Sequence, residues 1–431
     1  MFASKFTEPR FHSPTFYQNE VGDDDRFACL RGDYQTDVVV IGAGLAGLSS
    51  ARGLAERGNC DVIVIDRGLP GEGASGRNGG FVFAGYSLDN DALARRVGVA
   101  TARRMHGWTR TAVDLVRSRC RQLDVPVSSQ GVLLADWFGQ PETMAEFQRR
   151  MRELLDFRLD WANERERAAL VRSDRYGVGL IEPGSFHFNP LAYVRAIAAK
   201  LVDVGITVAA GSPAIEMKPV SSRKGGWIVR TPQAVIRAHR VVVATGGYGS
   251  GLWPAAGRAV QPIATYIMVT EPIAALAELM PADVAVYDNR FAFDYYRKVG
   301  GDRLLWGGRI SITDRGLESI RRMLRRDMLK VFPSLHDCCI DYTWGGWMSY
   351  ARHQMPVLTE TQPGLWLALA FGGHGMATTT LAGEVLAEAL CGEPLRLREF
   401  QRFGPVWAGS TVGRAALQSI YWWKQLRDRL R

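Results

Sequence analysis

Three glycines and one carboxylic acid form the clearest chemical pattern in this chain. Gly42, Gly44 and Gly47 make up GAGLAG, which follows the β-branched run DVVVI and leads into a helical pattern. Such glycines permit a tight turn, let a pyrophosphate approach the backbone and allow close helix–strand packing, while the helix N-terminus presents free N–H groups to the anion. Asp66 ends the next predicted strand, DVIVI, where its carboxylate can accept hydrogen bonds from a ribose. A glycine-rich turn without a ligand is the alternative, but this order of elements favours dinucleotide binding.

A second loop of small residues indicates which dinucleotide binds. Residues 73–80 read GASGRNGG, and small side chains there let a flavin-sized ligand approach the backbone, whereas a nicotinamide has no evident use for such a loop. Two more glycine turns, VVVATGG at 241–247 and FGGHG at 371–375, follow predicted strands. The second leads into a helix from about Met376, whose positive end would face the flavin where negative charge collects on reduction. These turns together predict FAD.

We expect the FAD to lie along these turns and the residues beside them. Arg77 and Asn78 are assigned to the flavin site, with ordinary loop capping as the alternative. The predicted cofactor-binding residues are Gly42, Ala43, Gly44, Leu45, Ala46, Gly47, Asp66, Arg67, Gly73, Ala74, Ser75, Arg77, Asn78, Gly79, Gly80, Ala214, Ala244, Thr245, Gly246, Gly372, Gly373, His374, Gly375 and Met376.

Length and composition fit a two-domain globular enzyme. At 431 residues the chain is too long for one small core, and 47% hydrophobic with 23% charged residues is ordinary for a globular protein. The formal charge of +9 is spread along the chain, which suits an anionic cofactor, and the absence of a basic stripe argues against nucleic acid as a partner. Four histidines without metal spacing (His106, His187, His239 and His336) predict no metal site.

The cysteines and the N-terminal residues indicate the compartment. Six cysteines are scattered without a CxxC pair, so neither a zinc site nor a disulfide framework is predicted, and a reducing compartment fits best. Lys5, Glu8 and Arg10 stand where a signal peptide would need an apolar run, and no apolar stretch of about 18 residues is present. We therefore expect a cytoplasmic protein without a membrane-spanning helix.

The sequence of elements predicts an α/β fold. A Rossmann-like FAD-binding domain, discontinuous in sequence, covers 36–112, 186–252 and 344–431, and a substrate domain built on a mixed or antiparallel sheet with helices covers 113–185 and 253–343. Residues 91–123 and 140–172 have helical patterns, and aromatic strands between Tyr266 and Trp306 suit an antiparallel sheet. Residues 1–35 lack the sustained hydrophobic periodicity of a helix or a strand, and they are interpreted as an extended N-terminal arm.

Several of these segments resemble one family of flavoproteins. The chain is similar to the FAD-dependent D-amino-acid oxidase and glycine oxidase superfamily, and within it to the branch that includes gamma-glutamylputrescine oxidoreductase. The similarity covers nearly the whole chain, and the GASGRNGG loop is its most discriminating piece. The matching segments are VVVIGAGLAGLSSARGLAERG, GASGRNGG, VVVATGGYG, DYYRKVGGDRLLWGGR, TWGGWMSYARHQMP and FGGHGMATTTLAGEVLAE.

The resemblance implies an activity. Related proteins oxidise the C–N bond of an amine or amino acid to an imine by hydride transfer to FAD, so a polyamine-type amine, or a secondary or cyclic amino acid such as pipecolate or proline, is the expected substrate. Oxygen or a respiratory acceptor such as a quinone would take the electrons. Covalent relatives resembling sarcosine oxidase carry a flavin-linking cysteine between the WGG strand and the next proline, and because Trp347–Pro356 contains none, non-covalent FAD is expected.

Candidate catalytic residues follow from the need to position a C–H bond against a flavin. The cofactor carries the redox chemistry, so the protein must supply aromatic walls and a few polar anchors. The predicted catalytic residues are Tyr296, Arg297, Arg352 and His374. Arg297 or Arg352 could bind a substrate carboxylate bidentately, with a surface ion pair as the alternative. An alternating set of residues could put several of its members on one sheet face over the flavin, with an ordinary place in a β-sheet as the alternative: Phe293, Tyr295, Tyr296, Arg297, Trp306 and Arg309.

Two rival functions stay open at this point. The C-terminal residues 420–431, basic and aromatic, could bring the protein to the periphery of the inner membrane as a quinone-linked amino acid dehydrogenase, although a helix packed on the body is the simpler interpretation. A non-catalytic or RNA-modifying flavoprotein is the other alternative. Binding of RNA that weakens steeply with salt would reveal it.

Overall fold

The computed structural model describes residues 13–22, 24–58, 60–221, 225–249, 251–291, 293–312, 315–409, 413, 418–421, 423 and 426–428. The helices are α1 (Phe16–Val21), α2 (Leu45–Arg57), α3 (Ala74–Arg77), α4 (Asn90–Val97), α5 (Val99–Gln122), α6 (Pro141–Leu155), α7 (Glu164–Leu170), α8 (Pro190–Asp203), α9 (Pro254–Ala259), α10 (Leu276–Leu279), α11 (Leu317–Val331), α12 (Gly375–Leu390) and α13 (Leu395–Phe400). Short 3₁₀ turns occupy Gly246–Tyr248, Pro333–Leu335 and Gln401–Phe403.

The strands form three sheets, and their bounds follow the short β-branched and aromatic runs of the sequence. They are β1 (Gly32–Ile41), β2 (Val62–Ile65), β3 (Phe81–Val82), β4 (Val127–Ser128), β5 (Val132–Ala135), β6 (Asp160–Ala162), β7 (Gly179–Glu182), β8 (Phe186–Phe188), β9 (Thr207–Ala209), β10 (Glu216–Pro219), β11 (Trp227–Arg230), β12 (Ala234–Val243), β13 (Gln261–Thr270), β14 (Ala285–Asp288), β15 (Asp294–Val299), β16 (Arg303–Ser311), β17 (Ile340–Tyr350), β18 (Val357–Gln362) and β19 (Leu365–Leu369).

The first sheet carries the predicted dinucleotide turn. Its order is β10-β11-β12-β1-β2-β9, and β19 pairs with the second half of β12. Strands β1, β2, β9, β12 and β19 run parallel, which explains why their sequences are continuous apolar runs: Val38, Val39 and Val40 are fully buried because both faces of the sheet are covered. The predicted Rossmann-like sheet is therefore confirmed.

Small residues bring two helices of this domain into close contact. An added Cβ on Gly383 of α12 would lie 2.4 Å from the Ser49 backbone of α2, and one on Gly53 would lie 2.8 Å from Ala387. This contact fixes the N-terminal ends of α2 and α12, which both begin at the cavity described below.

The second sheet forms the other body of the protein. Its order is β17-β13-β16-β15-β14-β5-β7-β6, antiparallel throughout except for the parallel pair β14–β5. Its core holds Tyr296, Trp306 and Phe332, together with the apolar side of α11. The predicted mixed sheet with helices is confirmed. The exact domain boundaries stay a prediction, and the predicted boundary at 344 falls inside β17.

Three local expectations differ from the structure. Residues 140–172 form α6, β6 and α7 in place of one helical region, because β6 joins the edge of the second sheet. The helical region at 91–123 is interrupted at Gly98, whose φ of 84° ends α4. The N-terminal arm contains α1, which Thr15 caps, and its last residues from Gly32 already belong to β1. Across the residues that the structure describes, no helix combines the length and apolar character needed to cross a membrane.

Candidate active site

A large cavity lies between the two main sheets. Its volume is about 1790 Å³, well above the about 300–1,000 Å³ of a pocket for one drug-sized ligand, so it has room for a dinucleotide and a substrate together. One end is formed by the turns after β1, β2 and β12, and the other by β14, β15, β17 and the start of α12. The cavity therefore lies at the carboxyl ends of the parallel strands, where ligands of such sheets bind.

The turn after β1 has the close approach that a dinucleotide requires. Gly42 has φ of 117°, and an added Cβ would lie 2.6 Å from the Ala244 carbonyl oxygen. Asp66 accepts hydrogen bonds through Oδ2 from the Ala43 N–H at 2.7 Å and through Oδ1 from the Gly68 N–H at 3.0 Å. Burial raises the pKa of Asp66, an effect that these two N–H donors oppose. These residues fit the ribose and pyrophosphate of FAD.

The GASGRNGG loop packs directly against this turn. Ser75 Oγ accepts a 2.9 Å hydrogen bond from the Leu45 N–H at the first turn of α2. An added Cβ on Gly44 would lie 2.9 Å from the same oxygen. Hence the second loop is placed beside the first, as a ligand longer than one nucleotide would require.

Most of the predicted cofactor residues come together on the cavity wall. Those that line it are Gly42, Gly44, Leu45, Ala46, Asp66, Arg67, Gly73, Ala74, Ser75, Arg77, Asn78, Gly79, Ala214, Ala244, Thr245, Gly246, Gly372, Gly373, His374, Gly375 and Met376. Ala43, Gly47 and Gly80 lie behind it. Gly47 is required for packing, since an added Cβ would lie 1.9 Å from the Gly42 carbonyl oxygen, and an added Cβ on Gly80, whose φ is 77°, would clash with the Phe188 carbonyl oxygen. No cysteine is among the described residues lining the cavity, and non-covalent attachment of the FAD stays a prediction.

Arg77 and Asn78 shape the loop from within. The Arg77 guanidinium is buried and donates from Nε to the Gly345 carbonyl at 2.8 Å and from Nη2 to the Ser13 carbonyl at 2.8 Å. Asn78 donates from Nδ2 to the carbonyls of Ala74 and Ser75 at 3.1 and 2.8 Å. Both residues line the cavity, yet these contacts are those of loop capping, the alternative considered from the sequence.

Two of the four predicted catalytic residues lie away from the cavity. Tyr296 faces the core of the second sheet, fully buried and stacked on Trp306 at 4.5 Å between ring centroids. Arg297 is 4% exposed, and its guanidinium donates to the Gly79 and Phe188 carbonyls at 2.6 and 2.9 Å. The structure therefore does not bring Tyr296 and Arg297 to the cavity, and their predicted contact with substrate is not supported. Alternation along β15 points Tyr295, the neighbour of Tyr296, into the cavity instead.

The other two predicted catalytic residues do line the cavity. Arg352 is exposed at its wall, beyond the end of β17. His374 precedes α12, and burial lowers the pKa of its imidazole to about 4. Because of this low pKa, the His374 ring is uncharged at neutral pH. Ser87 supports the turn that carries His374, because its Oγ accepts from the Gly373 N–H at 3.0 Å and donates to the Phe371 carbonyl at 3.3 Å.

An aromatic wall runs along the substrate end of the cavity, and of its members Phe81, Phe83 and Tyr287 were missed from the sequence. Its successive ring centroids are 4.9 Å apart for His374 and Phe83, 6.1 Å for Phe83 and Tyr287, and 5.8 Å for Tyr287 and Phe293. Tyr295 continues the wall, 6.4 Å from Phe293 and 5.5 Å from Phe81. The alternation of Phe81 and Phe83 directly after GASGRNGG was the available signal, since both side chains of such a strand point the same way.

Comparison with known proteins agrees with this geometry. The family model DAO, described as FAD dependent oxidoreductase, matches residues 37–389. Gamma-glutamylputrescine oxidoreductase from Escherichia coli is 31% identical, with 97% of this chain and 99% of that protein covered. A probable oxidoreductase, OrdL, from Haemophilus influenzae is 30% identical, with 90% and 91% covered.

A solved structure shows the same fold. L-proline dehydrogenase from P. horikoshii superimposes with a TM-score of 0.71 at 18% identity, covering 87% of this chain and 100% of that one. The resemblance found in the sequence is thus confirmed by independent comparisons, and FAD is the cofactor that the cavity is built to hold. The chain belongs to the DAO family of FAD-dependent oxidoreductases, flavoenzymes that act on amines and amino acids.

Proposed function

We propose that this enzyme oxidises the C–N bond of an amine to an imine. The observation that carries the proposal is the aromatic wall Phe81, Phe83, Tyr287, Phe293 and Tyr295, which ends at the uncharged His374. Aromatic faces attract an ammonium group without the need for a carboxylate partner from the protein. They also exclude water from the reacting carbon. When bound, FAD supplies the two-electron acceptor for the hydride of the carbon next to nitrogen.

The cavity-lining arginines favour an amine whose reacting end carries no carboxylate. Arg290 donates from Nε to Asp288 Oδ1 at 2.8 Å and from Nη2 to Asp294 Oδ2 at 2.6 Å, with both carboxylates buried. Arg309 donates from Nε to the buried Asp327 Oδ2 at 2.6 Å. Because these guanidinium groups are engaged by protein carboxylates, the exposed Arg352 is the arginine at the substrate end of the cavity that we propose as the anchor for a substrate carboxylate.

Polyamine-type amines are therefore the first candidate substrates. The relative named gamma-glutamylputrescine oxidoreductase supports this order, since it is 31% identical over nearly the full length. Secondary or cyclic amino acids such as proline and pipecolate are the second candidates, with Arg352 as the carboxylate anchor. Oxygen or a quinone is the proposed electron acceptor, and a cytoplasmic location is proposed with it. Peripheral membrane contact through residues 420–431 stays a prediction, and residues 422, 424–425 and 429–431 of that segment lie outside the described residues.

The deciding experiment is anaerobic reduction of the bound flavin. We expect the absorbance near about 450 nm, a property of oxidised flavin, to bleach with one or more polyamine-type amines and to return in air if oxygen is the acceptor. Bleaching that reverses only with a quinone would identify a dehydrogenase. A flavin that stays oxidised with every amine and amino acid of a broad panel, but is reduced by dithionite, would contradict amine oxidation.

The aromatic wall provides a variant test of the same proposal. Phe83→Leu keeps an apolar side chain but removes one face of the wall, so the rate of flavin reduction by the substrate should fall. Tyr296→Phe is the matched control, because Tyr296 lies on the opposite side of β15 in the core. Equal effects of both substitutions on flavin reduction would show that the wall has no direct part in substrate binding.

A further inference from the structure

We propose that Tyr17, Trp344 and Arg297 form a carbonyl clamp that positions the flavin loop, and that the N-terminal arm is thereby part of the cofactor site. The flavin loop here means residues Arg77–Gly80. The clamp concerns how the protein holds FAD, and it is independent of which substrate is oxidised.

Three consecutive carbonyl oxygens of the flavin loop are each held by a different side chain. Trp344 Nε1 donates to the Arg77 carbonyl at 3.0 Å, and Tyr17 Oη donates to the Asn78 carbonyl at 3.0 Å. Arg297 Nε donates to the Gly79 carbonyl at 2.6 Å. The donors come from β17, α1 and β15, so elements of the arm and of the second sheet converge on one stretch of the dinucleotide domain.

The three donors form one connected unit. Arg297 Nη2 donates to Tyr17 Oη at 3.1 Å, which leaves the phenolic proton directed to the Asn78 carbonyl. The rings of Tyr17 and Trp344 meet edge to face with centroids 5.6 Å apart. Tyr17 and Trp344 are fully buried and Arg297 nearly so, and hydrogen bonds in such a site are strengthened by the low local dielectric. Tyr17 therefore links the arm, the sheet and the loop.

The clamp sets the direction of the loop's N–H groups. The peptide bonds of the described residues are all trans, so the N–H of Gly79 points away from the Asn78 carbonyl and hence away from Tyr17. Gly79 lines the cavity. The Gly80 N–H is used internally by Asn78 Oδ1 at 2.8 Å. The clamp therefore fixes the Asn78–Gly79 peptide, whose N–H lies on the side opposite Tyr17, and it restrains two glycines that would otherwise be conformationally free.

The arm is anchored close to Tyr17 as well. Ser13 Oγ donates to the Thr343 carbonyl at 2.6 Å, and the Ser13 carbonyl accepts from Arg77 Nη2 at 2.8 Å. Thr15 and Gln18 form a capping box at the start of α1. Burial raises the pKa of Tyr17, so the phenol remains a hydrogen-bond donor throughout the physiological pH range.

Tyr17→Phe tests the clamp, because it removes one hydroxyl and leaves the ring in place. We expect the dissociation constant of FAD, measured by titrating the apoprotein, to rise about tenfold, as expected for one buried hydrogen bond. We also expect the midpoint potential of the bound flavin to shift, because the loop backbone beside it moves. Tyr342→Phe is the control: Tyr342 Oη accepts from Asn19 of the same arm at 2.5 Å, and its ring packs on Phe16.

Trp344→Phe is a second test that does not alter the arm. It removes only the donor to the Arg77 carbonyl, and it should weaken FAD binding and shift the potential in the same direction as Tyr17→Phe. If Tyr17→Phe fails to fold, Trp344→Phe decides the proposal alone. Unchanged FAD affinity and potential in the folded variants, or changes equal to those of Tyr342→Phe, would overturn the clamp.

Discussion

The imidazole of His374 meets the ring of Phe83 edge to face, with their centroids 4.9 Å apart. This contact joins the turn before α12 to the residue that follows β3, so the aromatic wall and the cofactor turns share one residue, His374. Because burial lowers the pKa of His374 to about 4, its neutral form predominates throughout the range in which the enzyme would be assayed.

His374→Gln should therefore slow flavin reduction without changing its pH profile. The lost ring contact with Phe83 should lower the rate about tenfold, which corresponds to about 1.4 kcal/mol of transition-state stabilisation. Rapid-mixing measurements of anaerobic flavin reduction between pH 5.5 and 8 should give parallel curves for the variant and the natural enzyme. An inflection in this range that disappears on substitution would mean that His374 titrates during turnover.

Arg352→Gln should separate the two candidate substrate classes. If a carboxylate binds at Arg352, the KM for proline or pipecolate should rise about tenfold or more, since a charge-assisted pair contributes about 1.5–3 kcal/mol. The matched amines without a carboxylate, pyrrolidine and piperidine, provide the control. An equal change in KM for an amino acid and its amine would remove Arg352 from carboxylate recognition.

Gly42→Ala should abolish FAD binding. Its φ of 117° is unfavourable for alanine, and the new Cβ would lie 2.6 Å from the Ala244 carbonyl oxygen, forcing β1 and β12 apart at the cofactor turn. We expect a loss of about 2–3 kcal/mol in the free energy of unfolding and colourless purified protein. Gly58→Ala is the control, because Gly58 also has positive φ, 74°, but no atom within 4 Å of the added Cβ. That variant should lose about 1–3 kcal/mol, because φ of 74° with ψ of 170° is a conformation that only glycine readily adopts, and it should keep its FAD. Similar FAD contents in the two variants would contradict the close-approach role of Gly42.

His106 should make the fold sensitive to acid. Burial, and secondarily the charge of Arg110, lowers the pKa of His106 to about 4, below its ordinary value. Because the unfolded chain binds this proton more readily, stability is complete above about pH 6.5 and falls as the pH drops from there towards the folded-state pKa of about 4. Between pH 7.5 and 5.5 this one group should cost about 1 kcal/mol of unfolding free energy.

Denaturant unfolding of the apoprotein at both pH values checks this. His106→Gln should reduce the loss between pH 7.5 and 5.5 by the same amount. A variant whose pH dependence equals that of the natural protein would show that His106 is protonated equally in the folded and unfolded states.

The sequence by itself determined the dinucleotide half of this protein. Gly42, Gly44 and Gly47 are needed because a side chain at each position would collide with nearby atoms of the fold. Asp66 follows them at a fixed spacing in the sequence, because one helix and one strand of the same strand–helix–strand unit lie between them. Because these requirements are local, they appear in the sequence as glycines and an acid at fixed spacings. The parallel sheet, its glycine turns and the FAD cofactor could therefore all be predicted. The helix from about Met376 was also found, with α12 starting at Gly375.

Only the tertiary structure decided which side chains face the cavity. Tyr295 and Tyr296 are chemically alike, and their assignment depends on which face of β15 meets the dinucleotide domain, a property of sheet packing rather than of the strand itself. Arg297 resembles a substrate anchor until its partners at Gly79 and Phe188 are known. Those partners lie more than a hundred positions away in sequence, and a buried guanidinium takes its role from whichever carbonyl groups the fold brings to it.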